Sequence, residues 1–334
     1  MSDVARLAKV SVKTVSRVVN DEPNVRPETR QRVDDAISRL GFLRNDGASQ
    51  LRRGRTDTVG LVVEDLGNPF YSTLAGAVER VARQHGHLLM TGSGEGYADR
   101  ERILTSAFLS RRVSGLLVVP TDSDHAWISH ADAAGTPIVF LDRPAHGVRA
   151  DTFLADNEGG IRTAVEHLAA HGHRRIGFLG DDASFWTAAR RLDGFRTATA
   201  ALGLLDDLVA MGPHEPATLA GTLTSWASGD EPVTALVTGN NRVTVATLRA
   251  MRSAGLRLAL VGFDDFELAD LLDPAITVVA QDPAALGAQG AHMLFQRLAG
   301  DASPPKTITL PTRLVVRGST ARAPVLRCKS NSET

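Results

Sequence analysis

The chain has 334 residues, of which 43% are hydrophobic, 22% charged and 5% aromatic, a composition that fits a folded globular protein of about two domains. This excludes a disordered, collagenous or disulfide-scaffold chain, and no apolar run reaches the ~18 residues of a membrane helix. The net charge of −1 is uneven: residues 1–58 hold 12 Lys+Arg against 8 Asp+Glu, a net +4, and the remainder carries −5. A small basic head on an acidic body suggests nucleic acid at one end and a different ligand at the other. The segment MSDVARLAKV shows neither an apolar h-region nor a cleavage site, and the one cysteine, Cys328, cannot form an internal disulfide. The expected compartment is the cytosol, with no membrane partner.

In the head, Ser2 is expected to cap a helix over Asp3 to Ala8, with Val4, Ala5 and Leu7 as its apolar residues. Lys9-Val10-Ser11 reads as a tight turn. Ser11 then caps a helix from Val12 to about Asn20, in which Val15, Val18 and Val19 fall at i, i+3, i+4. The opposite face carries Val12, Lys13, Ser16 and Arg17. A third helix, Pro27 to Leu40, opens on proline and stops at Gly41, offering Val33, Ala36, Ile37 and Leu40 to a miniature core. Two short helices across a three-residue turn make a helix-turn-helix whose second helix can enter a major groove. A small helical bundle with a solvated charged face is the alternative.

The residues themselves go further. DVARLAKVSVKTVSRVVN, followed by TRQRVDDAISRLGF, resembles the headpiece of the lac/purine repressor family of bacterial transcription regulators. The resemblance implies that Val12, Lys13 and Arg17 read base edges, Lys and Arg suiting guanine and Val12 a thymine methyl. Ser11, Thr14, Ser16, Asn20 and Thr29 would hold phosphates and set register. Lys9 replaces the family's turn glycine, at about 1 kcal/mol if left-handed. Arg26 and Arg44 replace a capping Ser and a Pro, and the few residues that normally precede DVA are expected upstream. Asn45, Ala48, Leu51 and Arg52 fit the family's hinge, with Ala48 and Leu51 one turn apart on a helix too short to stand alone. The family mechanism implies that two such helices form in the minor groove of operator DNA, where paired Leu51 side chains wedge a base step. A plain polar linker is the alternative for that segment.

From Thr58 the sequence alternates strand and helix. TVGLVVED and HLLMTGS flank an amphipathic helix from Pro69 to Gly86, and VSGLLVVPT and TPIVFLDR continue with a helix before each. A second series begins near Asn157: a helix to Gly172, RRIGFLGD, a helix ending near Gly203, VTALVTGN, a helix from Arg242 to Gly255, LRLALVGFDD and ITVVAQD. Apolar strands separated by amphipathic helices give parallel sheets covered on both faces. The fold class expected is therefore an all-α helix-turn-helix headpiece plus an α/β body of two doubly wound parallel-sheet subdomains. The boundaries expected are 1–44 for the headpiece, 45–57 for the hinge and 58–334 for the body. Within the body the subdomains run about 58–155 and about 156–280, and the chain crosses again after 281.

Ligands bind at the carboxyl ends of such strands, which here carry Asp65, Asn68, Phe70 and Tyr71, then Asp142 and Arg143. The second series supplies Trp186, Thr187 and Arg191, then Asn240 and Asn241, Asp264 and Asp265, and Gln281. The order NPFY, VSGLLV, LDR, DNEGG, HGHRRIGFLG, RRLDGF, TGNN, VGFDD, RLVVRGS resembles the same family, whose body shares its fold with periplasmic sugar-binding proteins. The resemblance implies that Arg191, Asn240 and Asp264 bond an effector, a sugar or sugar derivative, and that Phe70 packs on its ring. Asn68, Tyr71, Asp142, Trp186 and Gln281 complete the expected site. Asn157, Asn241 and Asp265 read as helix caps, and Phe70 and Tyr71 could equally be helix-start core.

Two rival functions need weighing. For an enzyme, Gly92, Gly94 and Gly96 lack the GxGxxG spacing and follow the second strand, so they read as a turn. His167, His171 and His173 resemble a metal cluster, but Gly172 ends their helix and two match family positions with no metal role. No catalytic residue, cofactor or metal is expected. The other rival, a sugar-binding module without DNA-regulatory activity, conflicts with the headpiece. The expectation is a ligand-responsive repressor, a homodimer on a palindromic operator. The tail APVLRCKSNSET shows no leucine heptad for tetramerisation.

Overall fold

The computed structural model describes residues 1–19, 22–42, 56–121, 124–129, 135–228 and 230–321. The chain divides into two compact units, Met1–Thr56 and Asp57–Thr334. The hinge positions Asn45, Ala48, Leu51 and Arg52, together with Asn20 and Cys328, lie outside the described residues.

In the first unit, α1 (Ser2–Ala8), α2 (Val12–Val19) and α3 (Pro27–Leu40) close over Val4, Ala5, Ala8, Val15, Val18, Val33 and Ala36. Three expectations need correction. Ser2 lies inside α1, whose N-cap is Met1, and no side chain caps it. Leu7 and Leu40 are exposed, and Ala8 takes the buried place given to Leu7, because four positions on from Val4 returns to the same face. Lys9 is left-handed at φ 53°, where its N–H closes the end of α1 on Ala5 and Arg6 carbonyls. Ser11 caps α2, its Oγ accepting from Thr14 N at 3.1 Å.

The second unit holds two six-stranded sheets. The first uses β1 (Thr58–Val63), β2 (Leu88–Ser93), β3 (Gly115–Val118), β4 (Ile138–Leu141), β5 (Asp151–Ala155) and β11 (Thr307–Leu310) in the order β11-β5-β4-β3-β1-β2. Its pairings are all parallel. The second uses β6 (Ile176–Gly180), β7 (Val209–Met211), β8 (Ala235–Thr238), β9 (Ala259–Phe263), β10 (Thr277–Ala280) and β12 (Arg313–Val315) in the order β12-β10-β9-β8-β6-β7. Only β12 runs antiparallel there. Both sheets are therefore doubly wound, with the order reversing beside β1 and beside β6, which is where such sheets place ligands.

The helices are α4 (Pro69–Gln84), α5 (Ala98–Ser110), α6 (Asn157–Ala170), α7 (Trp186–Ala201), α8 (Pro216–Trp226), α9 (Asn241–Ser253) and α10 (Pro283–Leu298). Apolar faces of α4 and α10 bury Leu74, Val78, Val81 and Leu294 on one face of the first sheet. In the second sheet α6 and α7 bury Ile161, Val165, Leu168 and Phe195. Phe140, Phe153, Phe178, Phe195 and Phe263 are fully buried, each stabilising by about 1.5–3 kcal/mol. After Gln281, α10 packs on the first sheet and β11 joins it, before β12 returns to the second. Four strands escaped the sequence reading, namely β5, β7, β11 and β12. A 3₁₀ turn, Ala126–Ile128, stands before β4 where a helix was expected, with residues 130–134 outside the described set.

Candidate functional site

On the first unit, α2 exposes Val12 and Lys13 and leaves Ser16 and Arg17 half-buried. This is the outer face of the second helix of a helix-turn-helix. Arg17 Nε donates to Glu22 Oε2 at 3.3 Å, so a residue expected to read bases is held by a carboxylate. The hydroxyls of Ser11 and Thr14 share a 2.9 Å hydrogen bond. Thr29 sits half-buried in the first turn of α3.

In the second unit a cavity of about 310 Å³ lies between the two sheets' carboxyl ends. Local chemistry places its walls. Asn68 caps α4, accepting from Phe70 N at 3.1 Å, and this turn sets Phe70 and Tyr71 at the cavity edge and in the core together. Asn240 caps α9, accepting from Val243 N at 2.8 Å. Asp142 and Asp264 end β4 and β9 in left-handed backbone, φ 67° and 65°, a conformation short polar residues tolerate best after glycine. Gly194 lets α7 lie tight on α6, since a Cβ there would meet Glu158 O at 2.8 Å. That close approach brings Arg191, one turn earlier, inward.

Arg191 is buried. Its Nε donates to Asn157 Oδ1 at 2.7 Å and its Nη1 to Gly239 O at 2.6 Å, while its guanidinium lies 4.0 Å over the Phe263 ring. Gln281 Nε2 donates to Asp264 Oδ1 at 2.6 Å. Burial raises the Asp264 carboxyl above its ordinary value, against the pull of Arg191 and the Gln281 bond. On the other side, Tyr71 Oη lies 3.3 Å from both Glu64 Oε2 and Asp142 Oδ2 and accepts from Arg143 Nη2 at 3.2 Å. Burial pushes the Tyr71 hydroxyl well above its ordinary value, so it stays a donor. Arg143 also ion-pairs with Glu64. Contacts among the described residues cross the cleft: Asn241 Nδ2 donates to Asn68 Oδ1 at 2.9 Å, Arg242 pairs with Asp65, and Arg143 lies 4.8 Å over the Phe185 ring.

The structure brings together Asn68, Phe70, Tyr71, Asp142, Arg191, Asn240, Asp264 and Gln281. Trp186 is the exception. It is half-buried as the first residue of α7 and does not line the cavity, whereas Phe185, in extended backbone before the helix, does. Two expected caps shift by one residue. Asp156 caps α6, accepting from Gly159 N at 2.9 Å, and frees Asn157 to hold Arg191. Asn240 is the cap of α9, and Asn241 bridges the cleft instead. Asp265 is structural, taking a bidentate pair from Arg317 at 2.9 and 2.7 Å.

Glu64, Asp181 and His214 also line the cavity and were not singled out in the sequence; Glu64 ends a strand signature, which was the available signal. Of the three clustered histidines, His167 bonds Thr320 Oγ1, His171 its own helix carbonyl at His167, and His173 Thr234 Oγ1. Among the described residues no group of His, Cys, Asp or Glu could hold a metal ion, and no helix is long and apolar enough to cross a membrane.

Comparison with known proteins places this geometry. Residues 1–45 match the model of the bacterial regulatory proteins of the lacI family, and residues 165–320 that of the periplasmic binding protein-like domain. The HTH-type transcriptional regulator CelR of Thermobifida fusca is 32% identical over 330 residues, covering 95% of this chain and 96% of that protein. The chain belongs to the lacI family of bacterial regulatory proteins. As a lacI-family member it is a DNA-binding transcriptional regulator rather than an enzyme. Among solved lacI-family structures, the lac repressor dimer bound to operator and the anti-inducer ONPF is 28% identical with a TM-score of 0.84, covering 96% of this chain and 98% of that one. The complex of the transcriptional regulator CelR with cellobiose is 31% identical with a TM-score of 0.70, covering 95% and 98%.

Proposed function

We propose that the protein is a cytoplasmic repressor that binds a palindromic operator as a homodimer and is controlled by a sugar, or sugar derivative, in the cleft. The observation that carries this is one chain holding both a helix-turn-helix and a cavity where Asp142, Arg191, Asn240 and Asp264 converge beside Phe70 and Phe185. Carboxylates, an amide and a guanidinium beside aromatic rings suit a hydroxylated ring. The CelR–cellobiose complex supports the sugar, and the operator-bound lac repressor dimer supports the dimer. Leu268 and Leu271, 58% and 75% exposed, give a second copy apolar surface to cover.

In this reading Val12, Lys13 and Arg17 read bases, and Ser11, Thr14, Ser16, Asn20 and Thr29 hold phosphates. Asn45, Ala48, Leu51 and Arg52 enter the minor groove, so Leu51→Ala weakens operator binding and leaves ligand affinity of the body unchanged. Effector binding turns one subdomain against the other and shifts operator affinity by a coupling of typically ~1–3 kcal/mol.

The test is a fluorescence-anisotropy titration on a palindromic family-type operator at two salt concentrations, with and without cellobiose, other sugars and purines. Salt-sensitive, sequence-selective binding altered by a sugar supports the reading. A response to a purine alone removes the sugar. Absence of selective binding leaves a sugar-binding module.

A further inference from the structure

We infer that Glu64 is a specificity-determining residue that restricts the cavity to uncharged polyhydroxylated ligands and turns away anionic ones, phosphorylated sugars and sugar acids included. The inference rests on the proposed sugar site and deepens it.

Three guanidiniums stand at the cavity wall, and each already has acceptors. Arg242 pairs with Asp65. Arg191 donates to Asn157 Oδ1 and Gly239 O, with the Asp264 charge acting on it. Arg143, whose side chain is 6% exposed, pairs with Glu64. The carboxylates of Glu64, Asp142, Asp181 and Asp264 line the same space. An incoming anion meets a wall whose positive charge is spent and whose excess is negative.

Three buried atoms of the cavity residues have no hydrogen-bond partner: the acceptors Asp142 Oδ1 and Gln281 Oε1, and the donor Arg143 Nε. A phosphate or carboxylate oxygen only accepts, so its chemistry suits a donor such as Arg143 Nε and not the two acceptors. An ammonium only donates and cannot answer Arg143. A hydroxyl does both, so a polyhydroxylated ring is the ligand class that suits walls offering donors and acceptors together.

Glu64 decides the balance because it is the carboxylate that bonds Arg143 directly. Asp142 stands farther off, at 3.7 Å from Arg143 Nε. Phe185 covers the guanidinium face at 4.8 Å, and an anion approaching the Nη2 edge of Arg143 meets Glu64 already there. Glu64→Gln keeps the shape and removes the charge.

The experiment is isothermal titration of the full chain, wild type and Glu64→Gln, with inorganic phosphate, glucose 6-phosphate and cellobiose. Glu64→Gln is expected to bind phosphate and glucose 6-phosphate at least about tenfold more tightly than wild type, the scale of a charge-assisted hydrogen bond. Adding Arg143→Met is expected to abolish the gain, because it removes the cation an anion would meet; it also takes the ion-pair partner from buried Asp142, so its fold is checked first. Glu64→Ala serves as a second variant, with circular dichroism checking the fold of each. The inference is overturned if wild type binds glucose 6-phosphate as tightly as Glu64→Gln, if no gain appears, or if the gain survives Arg143→Met. Cellobiose and other neutral sugars report separately: a wild type indifferent to all of them removes the sugar reading, while the phosphate comparison still decides the role of Glu64.

Discussion

Arg191→Ala should destabilise the second unit and abolish its response to effector, while leaving operator binding intact. The side chain is buried, and its loss strips the partner from Asn157 Oδ1 and Gly239 O. Each orphaned acceptor costs about 1–3 kcal/mol, and the lost stacking on Phe263, at 4.0 Å, adds roughly 0.5–2 kcal/mol. Water entering from the cleft re-solvates part of the wall, which brings the expected total to the lower half of the summed range, about 2.5–5 kcal/mol. The three tryptophans, Trp127, Trp186 and Trp226, all lie in the second unit. Urea unfolding followed by tryptophan fluorescence therefore reads that unit without the headpiece. Arg191→Lys should fall between, because one ammonium cannot reproduce the fork that spans both acceptors. A loss under about 1 kcal/mol together with unchanged titration by an effector would refute the assignment.

Three further outcomes follow from the same geometry. Asp264, raised by burial first of all, gives stability that is complete below the ordinary carboxylate value of 3.8 and is lost as pH rises through its shifted value. Urea midpoints measured across acidic pH should therefore fall with rising pH in wild type relative to Asp264→Asn, and parallel curves would contradict this. Glu22→Gln should tighten operator binding by roughly 0.2–1 kcal/mol, the scale of an exposed pair, since it releases Arg17 from a partner at 3.3 Å; anisotropy that shows weaker binding would count against Arg17 as a base reader. Lys9→Gly should stabilise the headpiece by up to about 1 kcal/mol, because φ is 53° there; slower amide exchange across α1 to α3 is the readout.

The alternation of strand and helix was legible because both sheets are buried on two faces, so their strands are short apolar runs bounded by turns. The strands that escaped are β7 and β12, three residues each, and β5 and β11, which fall outside the strand–helix alternation read from the sequence. The site was legible where a strand end fixes it, as at Asp142, Asp264 and Gln281. At helix starts it was legible only in part: Asn68, Phe70, Tyr71 and Asn240 line the cavity, but elsewhere one residue decides the direction of a side chain. Phe185 and Trp186 are adjacent, and only the extended backbone of Phe185 turns its ring onto Arg143. Asn157 and Asn241 were read as caps for the same reason, yet Asp156 and Asn240 do the capping and release their neighbours to Arg191 and Asn68. Glu64 ended a strand signature but was not singled out, because its role depends on Arg143, 79 positions later.

The central claim is that a ligand in the cleft and an operator on the headpiece act on one equilibrium. Linkage makes that claim quantitative, since each must change the other's affinity by the same factor. The decisive measurement is the operator dissociation constant with and without saturating effector, paired with the effector dissociation constant with and without saturating operator. The account predicts equal factors, within the 5- to 150-fold span typical of about 1–3 kcal/mol. Factors of one in both directions, for a ligand that demonstrably occupies the cleft, would contradict it.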